Sequence, residues 1–442
     1  MSNQGDLQRQ LGFWPTTAML ISGMIAVGIF LVPAGMAKSL GSPMLLLLVW
    51  IVMATMALLG SLCYGELAAR FPNAGGGYIY LREAYGPLLA FLFGWMCMTT
   101  MDPGITAVLA SGFSSYLNQI VPLGETGMKI AGVLAILLMA CVNIIGVRFG
   151  AGLIVTLTVF KVGALAAICL TGFGLGLGDW SHFFPFVDQH PGSPPLMGAL
   201  AGGMVGAFFA FAGWWDISKL AGEVKDPAKT LPRAMIFGVC VVTVAYIATS
   251  AVFMYLVPIE QVTDDETFAA QAGEALFGRS GAVIFSVIVI LSVIGSIAGL
   301  LMAAPRVYYA MARDRVFFSF AGAVHPRFGT PSRAIAIQAV LACFLLLIGS
   351  FESILNYIIF VAVLFVVLTI IGLFIIRRRQ PEAPLYQTPA YPVTPIVCLI
   401  LMTILLALLM GHSPKQALLG VGVVALGIPI YYLVFKKTAK TA

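Results

Sequence analysis

Two glycine-rich stretches interrupt long apolar segments of the chain, and both could bind a ligand through the peptide backbone. The first covers residues 22–30 (SGMIAVGIF), and Pro33 follows it. Glycine costs about 1 kcal/mol relative to alanine in a helix interior. A helix break there frees N–H and C=O groups in apolar surroundings, where they persist only if they line a cavity or are buried in protein. A close contact between two helices would explain the glycines equally well.

The second stretch covers residues 202–216 (GGMVGAFFAFAGWWD) and is interrupted in a similar way. Interrupted helices at corresponding positions in two halves of a chain are the best sequence indication of a transporter binding site. The N-terminus of a half-helix carries about half a positive charge and unpaired N–H donors, so it can hold a carboxylate. Unwound carbonyl groups can hold an ammonium, and an amino acid zwitterion needs both groups close together.

The aromatic run inside the second stretch has two interpretations. Most of its rings are expected to face lipid or to pack in the core. Phe209 comes just before Ala212 and Gly213, where the helix is expected to break. This position would let Phe209 cover a bound substrate.

Four ionisable residues also lie in or near apolar segments. Lys161 is about 16 Å into its segment at 1.5 Å per residue, and a charge at that depth costs about 2.5–3.5 kcal/mol. It is expected to face the bundle interior and to mark a functional site, because snorkelling to either interface is too far. Asp102 is expected on a wet cavity wall, Asp216 at the N-terminus of a half-helix, and Glu66 in a pair with a loop arginine.

Composition identifies the elements that must position these residues. Of the 442 residues, 60% are hydrophobic and 10% are charged, whereas soluble domains carry about 25% charged residues. This excludes a soluble enzyme, a nucleic-acid-binding protein and a disordered protein, and it favours a polytopic membrane protein. The seven cysteines fall in apolar stretches without a CxxC spacing, so they are interpreted as buried free thiols rather than as disulfides or a metal site.

The apolar segments are continuous rather than alternating, which predicts an all-α membrane protein. At about 20 residues per span, we expect about twelve transmembrane helices. Their predicted bounds are 13–39, 43–69, 78–119, 127–146, 149–175, 197–222, 231–257, 281–313, 331–349, 351–376, 392–411 and 415–435. The third is overlong, and we expect a tilt or a bend at Pro103.

The positions of the basic residues predict the orientation. With the N-terminus in the cytoplasm, 19 of the 24 lysines and arginines fall inside and four outside, while Lys161 lies within a span. The positive-inside rule therefore predicts that both termini are cytoplasmic. The basic clusters could also bind lipid headgroups.

The chain resembles the amino acid–polyamine–organocation superfamily, and within it the L-type amino acid transporters, from about residue 10 to 437. Together four motifs carry the resemblance: residues 23–30, 64–80 (YGEL…FPNAGGGYIY), 209–234 (FAFAGWW…GEVKDP…LPRA) and 305–331 (PR…D…HPRFGTP). The resemblance implies a LeuT-type fold in one transmembrane domain, 1–442. Its inverted repeats would cover 13–175 and 197–376, and two accessory helices would cover 392–435.

The resemblance also implies the roles of individual residues. Amides near Ala26, Val27 and Gly28 would bind the substrate carboxylate, and carbonyls near Gly23, Met24 and Phe209 the amine, with Phe209 as a gate. Lys161 would replace a coupling sodium ion and tether span one to span eight near Ser292 and Ser296. The complete set of candidate substrate-binding residues is Gly23, Met24, Ile25, Ala26, Val27, Gly28, Phe209, Ala212, Gly213 and Trp215.

Three features depart from the family pattern. Ala26-Val27-Gly28 replaces the usual Gly-Ser-Gly, which removes a hydroxyl and narrows the pocket. Trp215 stands where many relatives have a small or polar residue. Residues 117–128 contain no cysteine, so no disulfide-linked subunit is expected.

We therefore expect a multi-pass amino acid transporter of the inner membrane that works by alternating access. Its expected substrate is a neutral amino acid, large and aliphatic ones included, since no acidic residue is clearly placed for a cationic side chain. Exchange or uptake without sodium is expected. Alternatives are a proton-coupled permease, an antiporter of cationic or modified amino acids or polyamines, and a non-transporting amino acid sensor.

No enzymatic activity, metal, cofactor or nucleic acid is expected, and the protein is expected in the bilayer as a monomer or homodimer. The four histidines lack HExxH spacing and are interpreted as solvated loop residues.

Overall fold

The computed structural model describes residues 7–26, 28–262, 268–348 and 351–436, and no β-strand occurs among them. The α-helices are α1 Phe13–Met24, α2 Gly28–Leu40, α3 Pro43–Arg70, α4 Gly77–Tyr85, α5 Pro87–Met96, α6 Asp102–Ile120, α7 Gly124–Ile145, α8 Val147–Gly174, α9 Leu196–Phe211, α10 Pro227–Leu256, α11 Phe268–Phe277, α12 Gly281–Ala303, α13 Pro305–Arg313, α14 Ser332–Ile348, α15 Phe351–Arg379, α16 Val393–His412, α17 Pro414–Ala425 and α18 Gly427–Ile430. Short 3-10 and π-helical turns connect several of them.

The helices confirm the predicted all-α membrane architecture. Ten helical segments of the described chain are long and apolar enough to cross a membrane, and α14 is a shorter apolar helix of 17 residues. Helices α1 and α2 together occupy the first predicted span. These segments account for the twelve predicted spans, whereas the division into two repeats stays a prediction.

The predicted third span, 78–119, is wrong as a single helix. Gly86 has φ +92°, a backbone conformation that favours glycine, and it separates α4 from α5. A π-helical turn, Cys97–Met101, then precedes α6, because the ring of Pro103 cannot fit into a regular helix. The π-helical turn lies just before Pro103, and α4 does not belong to the candidate span Pro87–Ile120.

The outer surface of the bundle is apolar, as expected where helices face lipid. Large apolar side chains stay exposed on α7, α8, α14 and α16; examples are Leu134, Leu138, Val159, Leu170, Val340, Ile348 and Ile400. The cysteines are free thiols, but the prediction that all are buried in the protein is wrong. Cys141 and Cys240 are exposed on this surface, because one face of each helix packs against no other helix.

Helices α1, α2 and α9 lie at the centre of the bundle. Helix α1 packs against α8, α10 and α12, while α2 packs along α9. A Cβ atom on Gly28 would lie 2.9 Å from the Cα atom of Ala210, so this glycine allows the two helices to touch. Close packing therefore explains Gly28 structurally, whereas an added Cβ on Gly23 would meet nothing within 4 Å.

Candidate substrate site and its buried ions

Two helix breaks face each other at the centre of the bundle. Helix α1 ends at Met24 and α2 begins at Gly28, while α9 ends at Phe211 and a 3-10 helix, Asp216–Glu223, continues that span. Gly213 has φ +101°, a conformation that only glycine adopts readily. An added Cβ on Gly213 would lie 3.4 Å from the carbonyl carbon and oxygen of Gly23. The two unwound segments are therefore in direct proximity.

A cavity of about 60 Å³ lies between these breaks. Its walls are mainly apolar, with Ser296 and Asp216 as the polar side chains. The lining residues are Met19, Leu20, Gly23, Met24, Ala26, Gly28, Ile105, Leu109, Phe209, Ala212, Gly213, Asp216, Ile217, Leu220, Ser296, Gly299, Leu300 and Ala303. A water molecule needs about 10–15 Å³ of cavity volume. A cavity of this size can therefore hold a ligand of only a few heavy atoms.

Seven of the ten predicted substrate-binding residues line this cavity, and two of the described ones, Ile25 and Trp215, do not. Val27 lies outside the described residues. The carbonyl oxygen of Ile25 accepts a hydrogen bond from Lys161 Nζ at 2.6 Å, and Ile25 is absent from the lining. Trp215 is buried and stacks on Phe208 with a centroid distance of 6.0 Å, so its ring belongs to the aromatic packing around the site.

Lys161 belongs to α8, is fully buried and faces α1 and α12. Its ammonium donates to the carbonyl oxygens of Ile25 at 2.6 Å, Ser292 at 2.9 Å and Ser22 at 3.3 Å, and its Nζ atom is 3.2 Å from Ser296 Oγ and 3.3 Å from Ser22 Oγ. Within the described part of the chain it forms no ion pair with a carboxylate. The lysine therefore lies among neutral oxygens and joins span one to span eight through them.

Tyr246 on α10 joins the two helix breaks and was missed by the sequence analysis. Its hydroxyl oxygen lies 2.7 Å from the carbonyl oxygen of Met24 and 2.9 Å from that of Ala210. Met24 also accepts from the Ala26 amide at 2.9 Å, so this carbonyl is already engaged. A single tyrosine in an apolar helix gives no signal that distinguishes it from a packing residue.

The second buried lysine, Lys219, lies between two aspartates. Its Nζ atom is 2.9 Å from Asp102 Oδ1 and 2.7 Å from Asp216 Oδ1. Asp102 and Lys219 have side chains that are 0% and 1% exposed, whereas Asp216 is 17% exposed and lines the cavity. The expectation of a wet wall around Asp102 is therefore wrong, because the ion pair replaces water. Asp216 is thus an acidic side chain on the cavity wall that is already paired with Lys219.

Two further ion clusters fix the ends of the spans. Arg306 on α13 pairs with Glu223 at 2.8 Å, and both side chains are buried. Glu66 contacts Arg70 at 3.1 Å and Arg377 at 2.8 Å. The prediction of an arginine partner for Glu66 is confirmed, although both arginines belong to the last turns of helices rather than to loops.

The N-terminal segment is attached to the end of the sixth span. The amides of Gln10 and Leu11 donate to the carbonyl oxygen of Glu223 at 2.8 and 2.9 Å, and the amide of Lys225 donates to that of Leu11 at 2.8 Å. Glu223 thus holds the N-terminal segment through its backbone and Arg306 through its side chain.

Three of the four histidines have protein partners. His190 Nε2 lies 2.9 Å from Glu260 Oε1, and His182 Nδ1 lies 2.9 Å from the carbonyl oxygen of Tyr255. His325 Nδ1 accepts from the amides of Arg327 and Phe328 at 3.2 and 3.3 Å. All three side chains stay partly exposed. Among the described residues no three His, Cys, Asp or Glu side chains group as metal ligands.

Comparison with known proteins gives the family. The amino acid permease family matches residues 11–435. The serine/threonine exchanger SteT of Bacillus subtilis is 31% identical, over 99% of both chains. The Asc-type amino acid transporter 1 of Mus musculus is 30% identical over 98% of this chain and 82% of its own. The large neutral amino acids transporter small subunit 2 of Homo sapiens is 28% identical over 97% of this chain and 80% of its own. The chain therefore belongs to the amino acid permease family, in the L-type branch of the amino acid–polyamine–organocation superfamily.

Proposed function

We propose that this protein transports small neutral amino acids across the cell membrane by alternating access, as an exchanger or an uptake system. The observation that carries the proposal is the central cavity between two helix breaks. The N-terminus of α2 at Gly28 offers N–H donors and positive dipole charge to a carboxylate. The Gly23 carbonyl, on the opposite side of the break, offers an acceptor to an amino group.

The small apolar cavity supports a small substrate. Phe209, Ala26 and Ile105 contribute apolar surface, and a volume of about 60 Å³ leaves little room beyond the zwitterion. Related proteins are a serine/threonine exchanger and transporters of Asc and large neutral types. We place this chain with the carriers of small side chains such as alanine, serine and threonine.

Transport is proposed to be independent of sodium. Lys161 already holds a positive charge among the carbonyls of Ser22, Ile25 and Ser292. A sodium ion at the same oxygens would meet direct repulsion from the ammonium. The protein is also proposed to work without a disulfide-linked subunit, with both termini in the cytoplasm and Phe209 as a gate over the substrate.

Radiolabelled uptake into proteoliposomes tests the proposal. We expect saturable L-serine or L-alanine uptake that is equal in sodium and potassium buffers and is inhibited by small neutral amino acids among all twenty competitors. Preloading the vesicles separates exchange from net uptake. A requirement for sodium would contradict the role of Lys161, and binding without flux would indicate a sensor. Modification of single cysteines introduced near each terminus tests the orientation.

A further inference from the structure

The ion cluster formed by Asp102, Lys219 and Asp216 carries one surplus negative charge. One ammonium contacts two carboxylates, at 2.9 and 2.7 Å. The other ionisable groups that face the cluster are Cys97 on the π-helical turn, Tyr64 on α3 and Tyr308 on α13, which are neutral in their ordinary state at neutral pH. Neither aspartate pairs with a second cation in the part of the chain that is described. The cluster therefore lacks one positive charge.

The surplus negative charge of this cluster must be neutralised by another group. A buried ion without compensation is strongly unfavourable, and a group in that situation binds a proton or a counter-ion. Asp102 Oδ2 is buried and has no hydrogen-bond partner among the described residues, so the protein itself does not complete the cluster. Asp216 is the member that reaches the cavity, so the missing charge can arrive there from a ligand.

The second oxygen of Asp216 and a backbone carbonyl converge on one point of the cavity wall. The position of a Cβ atom added to Gly213 would lie 3.7 Å from Asp216 Oδ2 and 3.4 Å from the carbonyl oxygen of Gly23. Both oxygens therefore lie next to Gly213, and Gly23 and Asp216 both line the cavity. A carboxylate and a carbonyl oxygen on the same part of a cavity wall are acceptors suited to an ammonium group.

We propose that Asp216 and the Gly23 carbonyl bind the amino group of the substrate, and that the carboxylates of the cluster share one proton when the amino group is absent. The inference rests on the proposed function, which it extends from the peptide backbone to a charged side chain. The exchange is balanced in charge: the substrate ammonium enters, one proton leaves the cluster for the solvent, and the cluster keeps zero net charge. Lys219 and Asp102 act as positioning residues that hold Asp216.

Two consequences follow for the transport cycle. The substrate must carry an amino group, so an α-hydroxy acid of the same shape is rejected. Substrate and proton compete for the cluster, so the apparent affinity falls by up to about tenfold for each pH unit below the range in which the empty cluster takes up its proton.

Calorimetric titration of the purified full-length protein with L-alanine tests the proposal. Measurement in two buffers of different ionisation enthalpy gives the number of protons released, and competition by L-lactate gives the preference for an amine over a hydroxyl. For the wild type we expect release approaching one proton at acidic pH and little binding of L-lactate. For Asp216→Asn we expect no release, an affinity for L-alanine lower by about tenfold or more, and a reduced preference for the amine.

Asp102→Asn is the matched control, because it removes the surplus charge but keeps Asp216 beside the cavity. We expect this variant to lose proton release and to keep the preference for L-alanine over L-lactate. If Asp216→Asn does not fold, the wild-type titration still decides: binding without proton release between pH 5 and pH 8 overturns the proposal.

The two proposals fail in different ways. If the wild type neither binds nor transports any amino acid, the proposed function is wrong. If the wild type transports L-alanine, and Asp216→Asn keeps the same pH dependence and the same rejection of L-lactate, the transport function stands and the role of Asp216 is wrong.

Discussion

The two buried lysines of this protein are held in opposite ways. Lys161 lies among neutral carbonyl and hydroxyl oxygens of α1 and α12, whereas Lys219 lies between the carboxylates of Asp102 and Asp216. The first is a positive charge stabilised by dipoles, and the second is part of a cluster with a surplus negative charge. Burial alone therefore does not define the role of a lysine. Its partners determine whether its removal leaves neutral oxygens or unpaired carboxylates.

The largest effect is expected when Lys219 is replaced. Lys219→Met leaves the buried carboxylate of Asp102 and the partly exposed carboxylate of Asp216 without a cation, and breaking a buried ion pair costs about 3–5 kcal/mol. Thermal unfolding of the purified variant should show this loss of stability. The double variant Lys219→Met with Asp102→Asn should recover part of it, and a wild-type unfolding temperature for Lys219→Met would remove the distinction between the two lysines.

Replacement of Lys161 should affect turnover more than folding. Lys161→Ala leaves neutral oxygens rather than stranded charges, so we expect normal expression with uptake reduced by about tenfold or more, as for the loss of one or two charge-assisted hydrogen bonds. Uptake corrected for the amount of protein in the vesicles measures this. The exposed Lys129→Ala is the control, and normal uptake by Lys161→Ala would reduce that lysine to a structural residue.

Gly213→Ala tests the part of the cavity wall beside Asp216, the partner of Lys219. The left-handed backbone costs a non-glycine residue about 1–2 kcal/mol, and the new methyl group would fill the position between Gly23 and Asp216. We expect a raised KM together with modest destabilisation. Gly12→Ala is the control, because its Cβ meets nothing within 4 Å and it lies outside the cavity; an unchanged KM for Gly213→Ala would place the substrate elsewhere.

Tyr246→Phe should have the smallest effect. It removes a contact with the end of α1, where Lys161 also binds carbonyl oxygens. Loss of the hydroxyl removes a buried hydrogen bond worth about 0.5–1.5 kcal/mol. We expect slight destabilisation and a raised KM, because the segment after Met24 loses a fixed point. Tyr85→Phe, which loses a hydrogen bond to the Leu368 carbonyl at 2.8 Å, should lower stability alone. Equal KM values for both variants would show that Tyr246 does not order the break.

The two lysines also show what the sequence could predict. Lys161 was recognised because it is a lone charge in the middle of an apolar segment, where no solvated position is available. Lys219 is one of the 19 basic residues that the positive-inside count places in the cytoplasm, and other charged residues follow it closely in sequence. Its partner Asp102 is 117 residues away, and the 3-10 helix that places Asp216 beside Lys219 could not be read from the composition.

The helices themselves were predictable, but their interruptions were only partly so. Continuous apolar segments predicted the spans, and the paired glycine-rich stretches predicted the breaks in spans one and six. The break at Gly86 was missed, although Arg82 and Glu83 precede it and the Gly86-Pro87 pair is a turn signal. The link made by Tyr246 between Met24 and Ala210 depends on the packing of α10, which no local pattern records.

The attachment of the N-terminal segment has a kinetic consequence. Glu223 holds Gln10 and Leu11 through its carbonyl oxygen and Arg306 through its carboxylate. Separation of the sixth span from the eighth at this end must release the ion pair, while separation from the N-terminal segment must release the backbone hydrogen bonds. Because one residue anchors all of these bonds, we expect that end of the molecule to open in a single concerted event with a high activation barrier, which would suppress leakage between transport cycles.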